Sequence, residues 1–218
     1  MGLIVGIDGP AGSGKGTITK LVAEKLNLVN IDTGAMYRCV ALATLKNNIN
    51  LDDEEKIIEL SKKIKIEFDE NEHTYLDGKD VSIKIREKRV SDIVSIISKI
   101  VEVRKEMVKQ QQALAEGKDV IMEGRDITTV VFPNADFKFY LDASAEERAR
   151  RRLKQNEEKG INMSYEEILE SINTRDYNDT HKDYGALTRT DEQIYIDSTN
   201  LTIEEVADII INKIKESK

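Results

Sequence analysis

The sequence predicts a mostly parallel α/β fold, a three-layer sandwich around a five-stranded parallel sheet, and three observations carry that expectation. Five short apolar, β-rich runs recur: "LIVGID" (3–8), "LVNID" (28–32), "DVIMEG" (119–124), "FKFYLD" (137–142) and "IYIDS" (194–198). Stretches of helical spacing lie between most of them, and parallel strands need such crossover connections. The runs at 3–7 and 120–122 are continuously apolar, as central strands covered on both faces require.

In chain order, helices are expected over 15–26, 35–47, 53–64, roughly 90–116, 145–159, 164–178 and 202–216. The interval "IKIEFDENEHTYLDGKDVSIKI" (64–85) breaks this rhythm. It alternates apolar and polar residues and has turn signals at Glu70–Glu72 and Asp77-Gly78, the pattern of a small antiparallel insertion. The run "RARRRLKQNEEKGINMS" (148–164) reads as a basic helix entering a polar, Gly-containing loop, the form of a mobile flap. The two prolines, Pro10 and Pro133, fall at strand-to-loop transitions.

A chain of 218 residues fits one domain with embellishments, and 39% hydrophobic with 34% charged residues reads as globular. The net charge of −8 argues against a surface that grips nucleic acid, although a local Arg/Lys cluster still binds a small anion. Cys39 is the only cysteine, which excludes an internal disulfide, and it lies in an apolar-periodic stretch that suits a buried thiol. His73 and His181 are far apart, so no metal-ligand spacing is present. No window approaches the ~18 apolar residues of a membrane span, and the N-terminus has no signal pattern. The expected setting is cytoplasmic, with no membrane or nucleic-acid partner. The Asn-x-Ser/Thr matches at Asn162, Asn178 and Asn200 then occur by chance.

The segment Gly9, Pro10, Ala11, Gly12, Ser13, Gly14, Lys15, Gly16, Thr17 follows the first strand run and opens the first helix, which is the context a P-loop requires. Its glycines let successive N–H groups face one anion, the helix start adds its dipole, and Lys15 supplies a point charge to the outer phosphates. Gly16 stands where the usual pattern has a hydroxyl for Mg²⁺, and the hydroxyl comes one residue later, at Thr17. Mg²⁺ binds readily through a nucleotide's own phosphates and water, so its use survives that change.

Three further clusters point to a second substrate. "DTGAMYR" (32–38) places cap candidates Asp32 and Thr33 before Arg38, a pattern that plain helix capping also explains. "EGRD" (123–126) leaves the third core strand, and ligands of parallel α/β sheets collect beyond strand carboxyl ends, so Arg125 and Asp126 are expected to face the P-loop crevice. "TRDYNDTHK" (174–182) spaces Arg175, Asp179 and Lys182 at i, i+4, i+7 on one expected helical face, as a surface salt-bridge ladder also does.

Together "IDGPAGSGKGT", "DTGAMYR", "GRD…TVVFP", "ASAEERARRR", "EKGI" and "RDxxD" occur in an order and spacing that resembles the bacterial cytidylate kinases of the nucleoside monophosphate kinase family, over essentially the whole chain. The resemblance implies a P-loop kinase core over 1–60, 101–150 and 165–218, a monophosphate-binding insertion over about 61–100, and a short lid over about 151–164. It implies transfer of the γ-phosphoryl of ATP to CMP or dCMP with Mg²⁺ held mainly by phosphates and water, and a monomer is expected. Arg38, Arg125 and Lys182 would hold the acceptor phosphate; Ser95, Arg104 and Asp126 would read the base; Thr33, Arg175 and Asp179 would hold the sugar. Lys15, Arg125 and Arg175, with Arg148 and Arg152 from the lid helix, would carry the catalysis, and Arg150 and Arg151 would face elsewhere.

The chain departs from that pattern in three places: Lys182 replaces an arginine, "GRDITTVVFP" replaces the commoner "GRDMGTVVFP", and "YGAL" (184–187) replaces a Pro-containing stretch. Lysine keeps the charge but loses the bidentate fork. The nearest alternatives are a P-loop kinase for UMP, AMP or a shikimate-like acceptor, a GTP switch and a nucleic-acid ATPase. The switch lacks its Asn-Lys-x-Asp guanine reader, since Asn212-Lys213 continues into Ile-Lys, and the ATPase lacks a basic face.

Overall fold

The computed structural model describes residues 2–69, 73–158 and 160–216. The five apolar runs form β1 (Ile4–Asp8), β2 (Val29–Asp32), β6 (Val120–Gly124), β7 (Phe137–Asp142) and β8 (Ile194–Asp197), in one sheet of order β2-β6-β1-β7-β8. Every pairing in it is parallel. Register aligns Asp8 with Gly124 and Asp32 with Glu123, so the P-loop and both acceptor clusters leave the same edge of the sheet.

Strand periodicity divides the core into two layers. Val5, Ile7, Ile121, Phe139, Leu141 and Ile196 pack on one face against α1 (Lys15–Leu26) and α8 (Ile203–Glu216). Ile31, Val120 and Met122 pack on the other with α5 (Val101–Ala115) and a π-helical turn, Ile127–Val131. A third cluster centres on α2 (Thr33–Lys46) and takes in α3 (Glu54–Lys63), α4 (Lys88–Ile97) and an antiparallel sheet of β3 (Ile66–Phe68), β4 (Thr74–Leu76) and β5 (Lys79–Asp80). This sheet is the alternating segment expected at 64–85. The turn expected at Glu70–Glu72 and part of the expected flap, Lys159, lie outside the described residues. The flap's helix is α6 (Ala145–Glu158), which packs on α7 (Tyr165–Thr180), whose start carries a Ser164/Glu167 capping box. No helix among the described residues is long and apolar enough to cross a membrane.

Two expectations need correction. The single helix over 90–116 is two helices, α4 and α5, joined by an extended Ile100. Ser98 Oγ donates to the Ser95 carbonyl at 3.2 Å, a local bond that competes with the helix ladder, and Arg104 Nη1 donates to the Ser98 carbonyl that the break leaves free. Lys182 is not on a helical face, because α7 ends at Thr180 with His181 as its C-cap. Thr180 Oγ1 bonds back to the carbonyls of Asp176 and Tyr177, and the chain then turns away.

Phe139, fully buried on a central strand, is the largest side chain of the first layer. Phe139→Ala is expected to destabilise the protein by about 3–5 kcal/mol in chemical denaturation, the usual cost of emptying an aromatic core site. A loss well under about 1 kcal/mol would mean that this layer does not carry the fold.

Candidate active site

The P-loop curls because glycine stands where a side chain has no room or the backbone turns left-handed. A Cβ on Gly9 would come within 2.0 Å of the Leu141 carbonyl oxygen, and Gly14, the N-cap of α1, has φ +92°. Lys15 is buried, and its Nζ donates to the carbonyls of Gly9 (2.8 Å) and Pro10 (2.7 Å) and, more weakly, to Ser13 Oγ (3.4 Å). Burial first, then the neighbouring Arg125, pushes the Lys15 ammonium down to about 7. Gly12 lies against the aliphatic part of Arg148, and Gly16 and Thr17 are exposed.

The side chains expected to meet the acceptor are held by one another. Arg125 Nε donates to Asp179 Oδ2 at 2.7 Å and Lys182 Nζ to Asp179 Oδ1 at 2.8 Å. These two cations hold the Asp179 carboxyl below its usual range even though burial opposes it. Arg104 Nη2 meets Asp126 Oδ2 at 2.5 Å with both side chains almost fully buried. Tyr37 lies beneath that guanidinium, 5.3 Å from ring centre to Cζ, and the Gly185 carbonyl accepts from Arg104 at 3.3 Å. Gly185 has φ +66°, and a Cβ there would come within 2.2 Å of Asp126 Oδ2, so only glycine lets this turn cover the pair.

Arg38 Nη1 donates to Ser91 Oγ on α4 at 2.9 Å, whereas Ser95, one turn further, is exposed and bonds neither Arg104 nor Asp126. Asp32 caps α2 through the Ala35 N–H, but Thr33 turns its hydroxyl to the Glu123 carbonyl at 2.7 Å. Among the described residues Arg152 and Arg175 make no ion pair or hydrogen bond. Desolvation, then Arg125, pushes Arg175 down to about 10, with smaller repulsion from Arg38 and Arg152. The arginines therefore form one mutually repelling cluster, the electrostatic form of an anion site.

The lid-helix arginines divide differently from the expectation. Arg148 is buried and committed: its guanidinium bonds the carbonyls of Ala143 and Ala11 and grips Asp176 with two bonds, at 3.0 and 2.6 Å. Arg152, one turn on, is exposed. Arg150 pairs with Glu147, and Arg151 pairs with Glu147 and donates to the Ser198 carbonyl at 2.6 Å.

Four residues were not singled out from the sequence: Asp8, Glu123, Asp176 and Gly185. Glu123 Oε1 lies 3.4 Å from where a Cβ on Gly16 would stand, and burial, then Asp32, raises its carboxyl against the pull of Lys15. Its only sequence signal is its place at the end of a core strand, beside "GRD". No group of three or more His, Cys, Asp or Glu among the described residues is arranged to hold a metal ion.

The sequence that forms this site has close counterparts among known proteins. A sequence model described as Cytidylate kinase matches residues 5–216. The cytidylate kinase of Fusobacterium nucleatum is 49% identical over 99% of both chains, and that of Bacillus subtilis is 45% identical over 98% of this chain and 97% of its own. A shikimate kinase from Bacteroides thetaiotaomicron superposes over 98% of both chains with a TM-score of 0.50 at 13% identity, a likeness of fold alone. A family match across nearly the whole chain, with relatives at almost half identity and full coverage, leaves one assignment: the chain belongs to the cytidylate kinase family.

Proposed function

We propose that this protein transfers the γ-phosphoryl group of ATP to CMP, giving CDP and ADP, and takes dCMP as a second acceptor. The observation that best supports the reading is the buried Arg104–Asp126 pair beside the P-loop, a donor and an acceptor that together complement the cytosine edge. The N4 amine donates to the Asp126 carboxylate, and N3 and O2 accept from Arg104. Arg104 Nε is buried without a hydrogen-bond partner among the described residues, a donor that a base acceptor would satisfy. Uracil would point O4 at the carboxylate, and a buried polar group left unpaired rejects a substrate by orders of magnitude. Ser95 joins the base as α4 moves inward.

Thr33, Arg175 and Asp179 hold the sugar. The Asp179 carboxylate is already neutralised by Arg125 and Lys182, so a missing 2′-hydroxyl leaves no charge unpaired, which favours tolerance of dCMP. Arg38, Arg125 and Lys182 hold the acceptor phosphate. Its oxygen attacks the γ-phosphorus, the bond to the ADP oxygen breaks, and no general base is needed because the nucleophile is already an oxyanion. Phosphoryl transfer depends on positioning and charge stabilisation. Lys15 and the backbone N–H groups of 11–17 align the donor, while Arg125, Arg175 and Arg152 face the charge on the moving group. Arg148, tied to Asp176 and to the Ala11 carbonyl, supports the P-loop and braces α7 instead. Lid and insertion close to exclude water.

Mg²⁺ fits the residues present. The Glu123 carboxylate accepts no hydrogen bond among the described residues and faces the space over Gly16, beside Lys15, where it would hold the ion through water. When bound, the ion would supply positive charge to the donor's phosphates.

ADP release with ATP, Mg²⁺ and each of CMP, dCMP, UMP and AMP tests the reading: CMP and dCMP are expected to turn over well above the others, and equal rates would overturn it. Lys15→Ala is expected to lower kcat by about a hundredfold or more, the scale of one lost transition-state contact, measured by the same assay. Asp126→Asn is expected to lower the CMP-to-UMP ratio of kcat/KM, and a ratio at the wild-type value would remove Asp126 from base reading.

A further inference from the structure

The first amides of a helical turn have no acceptor within it, and an N-cap aspartate usually takes one with its own carboxylate. Asp126 occupies that position before the turn Ile127–Val131, yet its side chain makes no cap bond and goes to Arg104 instead. The orphan amides are satisfied from another strand. Asp8, at the end of β1, accepts from Ile127 N–H through Oδ1 at 2.7 Å and from Thr128 N–H through Oδ2 at 2.8 Å.

Asp8 is fully buried, where a carboxylate is costly unless several donors meet it. Its third donor is the Thr128 hydroxyl, at 2.6 Å, and Gln193 Nε2 reaches the same oxygen more weakly, at 3.5 Å. That hydroxyl in turn accepts from Gln193 Nε2 at 2.6 Å, and Gln193 Oε1 accepts from the Thr190 N–H at 2.7 Å. Gly6 leaves room for the Thr128 methyl, since a Cβ there would come within 2.6 Å of it. Thr128 thereby links Asp8 to Gln193 through its hydroxyl.

We propose that Asp8, Thr128 and Gln193 are positioning residues for the acceptor site: Asp8 caps the turn in place of Asp126, and the Asp126 carboxylate is thereby left free for the nucleobase. The inference rests on the reading of Asp126 as a base-reading residue. Without the Thr128 hydroxyl or its Gln193 partner, the Asp8 cap loosens and the orphan amides compete for the Asp126 carboxylate. The Lys15 bonds to Gly9 and Pro10 involve none of these side chains, and among the described residues Thr128 and Gln193 reach the P-loop only through Asp8, so the larger effect is expected on the acceptor side.

The test is steady-state kinetics, with thermal denaturation, on the full chain carrying Thr128→Val, Thr128→Ser or Gln193→Leu. Thr128→Val is expected to raise the KM for CMP by about tenfold, the worth of one buried hydrogen bond, and to lower the CMP-to-UMP ratio of kcat/KM. The KM for ATP is expected to stay near the wild-type value. Thr128→Ser, which keeps the hydroxyl, is expected to restore both acceptor parameters, and Gln193→Leu to move them in the same direction as Thr128→Val by less. A lower Tm with unchanged CMP KM and unchanged selectivity in both Thr128→Val and Gln193→Leu would overturn the proposal, as would equal rises in the KM of CMP and ATP. Wild-type enzyme without preference for CMP over UMP would instead overturn the function itself, an outcome read before any variant is made.

Discussion

Lys15, Arg38, Arg125, Arg175 and Lys182 crowd into one crevice, and the fold must hold these cations together before any phosphate arrives. Burial first, and then repulsion from neighbouring cations, lowers the proton affinity of Lys15, Arg38 and Arg175. The protein offsets it with carboxylates on neighbouring elements: Asp179 holds Arg125 and Lys182, and Asp126 holds Arg104 nearby. Lys15 turns to carbonyls of its own loop. The Lys15 contacts are ones that an anionic ligand can replace with stronger ones, because charge-assisted bonds to phosphate exceed those to backbone oxygen. An acidic chain thus keeps a strongly basic site, and the net charge of −8 says little about what the crevice binds.

The sheet was legible because strands buried on both faces read as apolar runs, and the P-loop because all its parts are consecutive in sequence. Legibility failed where the decisive partner is distant or where a break has no glycine or proline to mark it. Ser98–Ile100 interrupts a run whose apolar spacing continues smoothly, and only a side chain–backbone bond and the Arg104 guanidinium end the helix there. Lys182 continues the spacing of Arg175 and Asp179 past the end of the helix and still meets Asp179 through an ion pair. Arg148 and Arg152 share helical spacing but not environment, since Asp176 on α7 holds the first and nothing comparable among the described residues holds the second. Asp8 and Thr128 are 120 positions apart, a separation over which no local pattern suggests a cap.

The three hydrophobic layers also separate the parts by duty. The two that sandwich the parallel sheet hold the ends of β1, β2 and β6 in fixed register, which is what aligns donor and acceptor loops. The third, around α2, holds α3, α4 and the small antiparallel sheet, and α5 joins it to the second layer. Arg38 bonds Ser91 within the third cluster, and Lys99 leaves it through its bond to Asn178 on α7.

The break between α4 and α5 has a mechanical consequence. Arg104 reaches Asp126 with one end of its guanidinium and the Ser98 carbonyl with the other. A side chain that grips both the carboxylate and the joint transmits force between them: a shift of the guanidinium toward a ligand is a pull on the elbow of the insertion. On the proposed base-reading role of Arg104, recognition and bending would share a single lever.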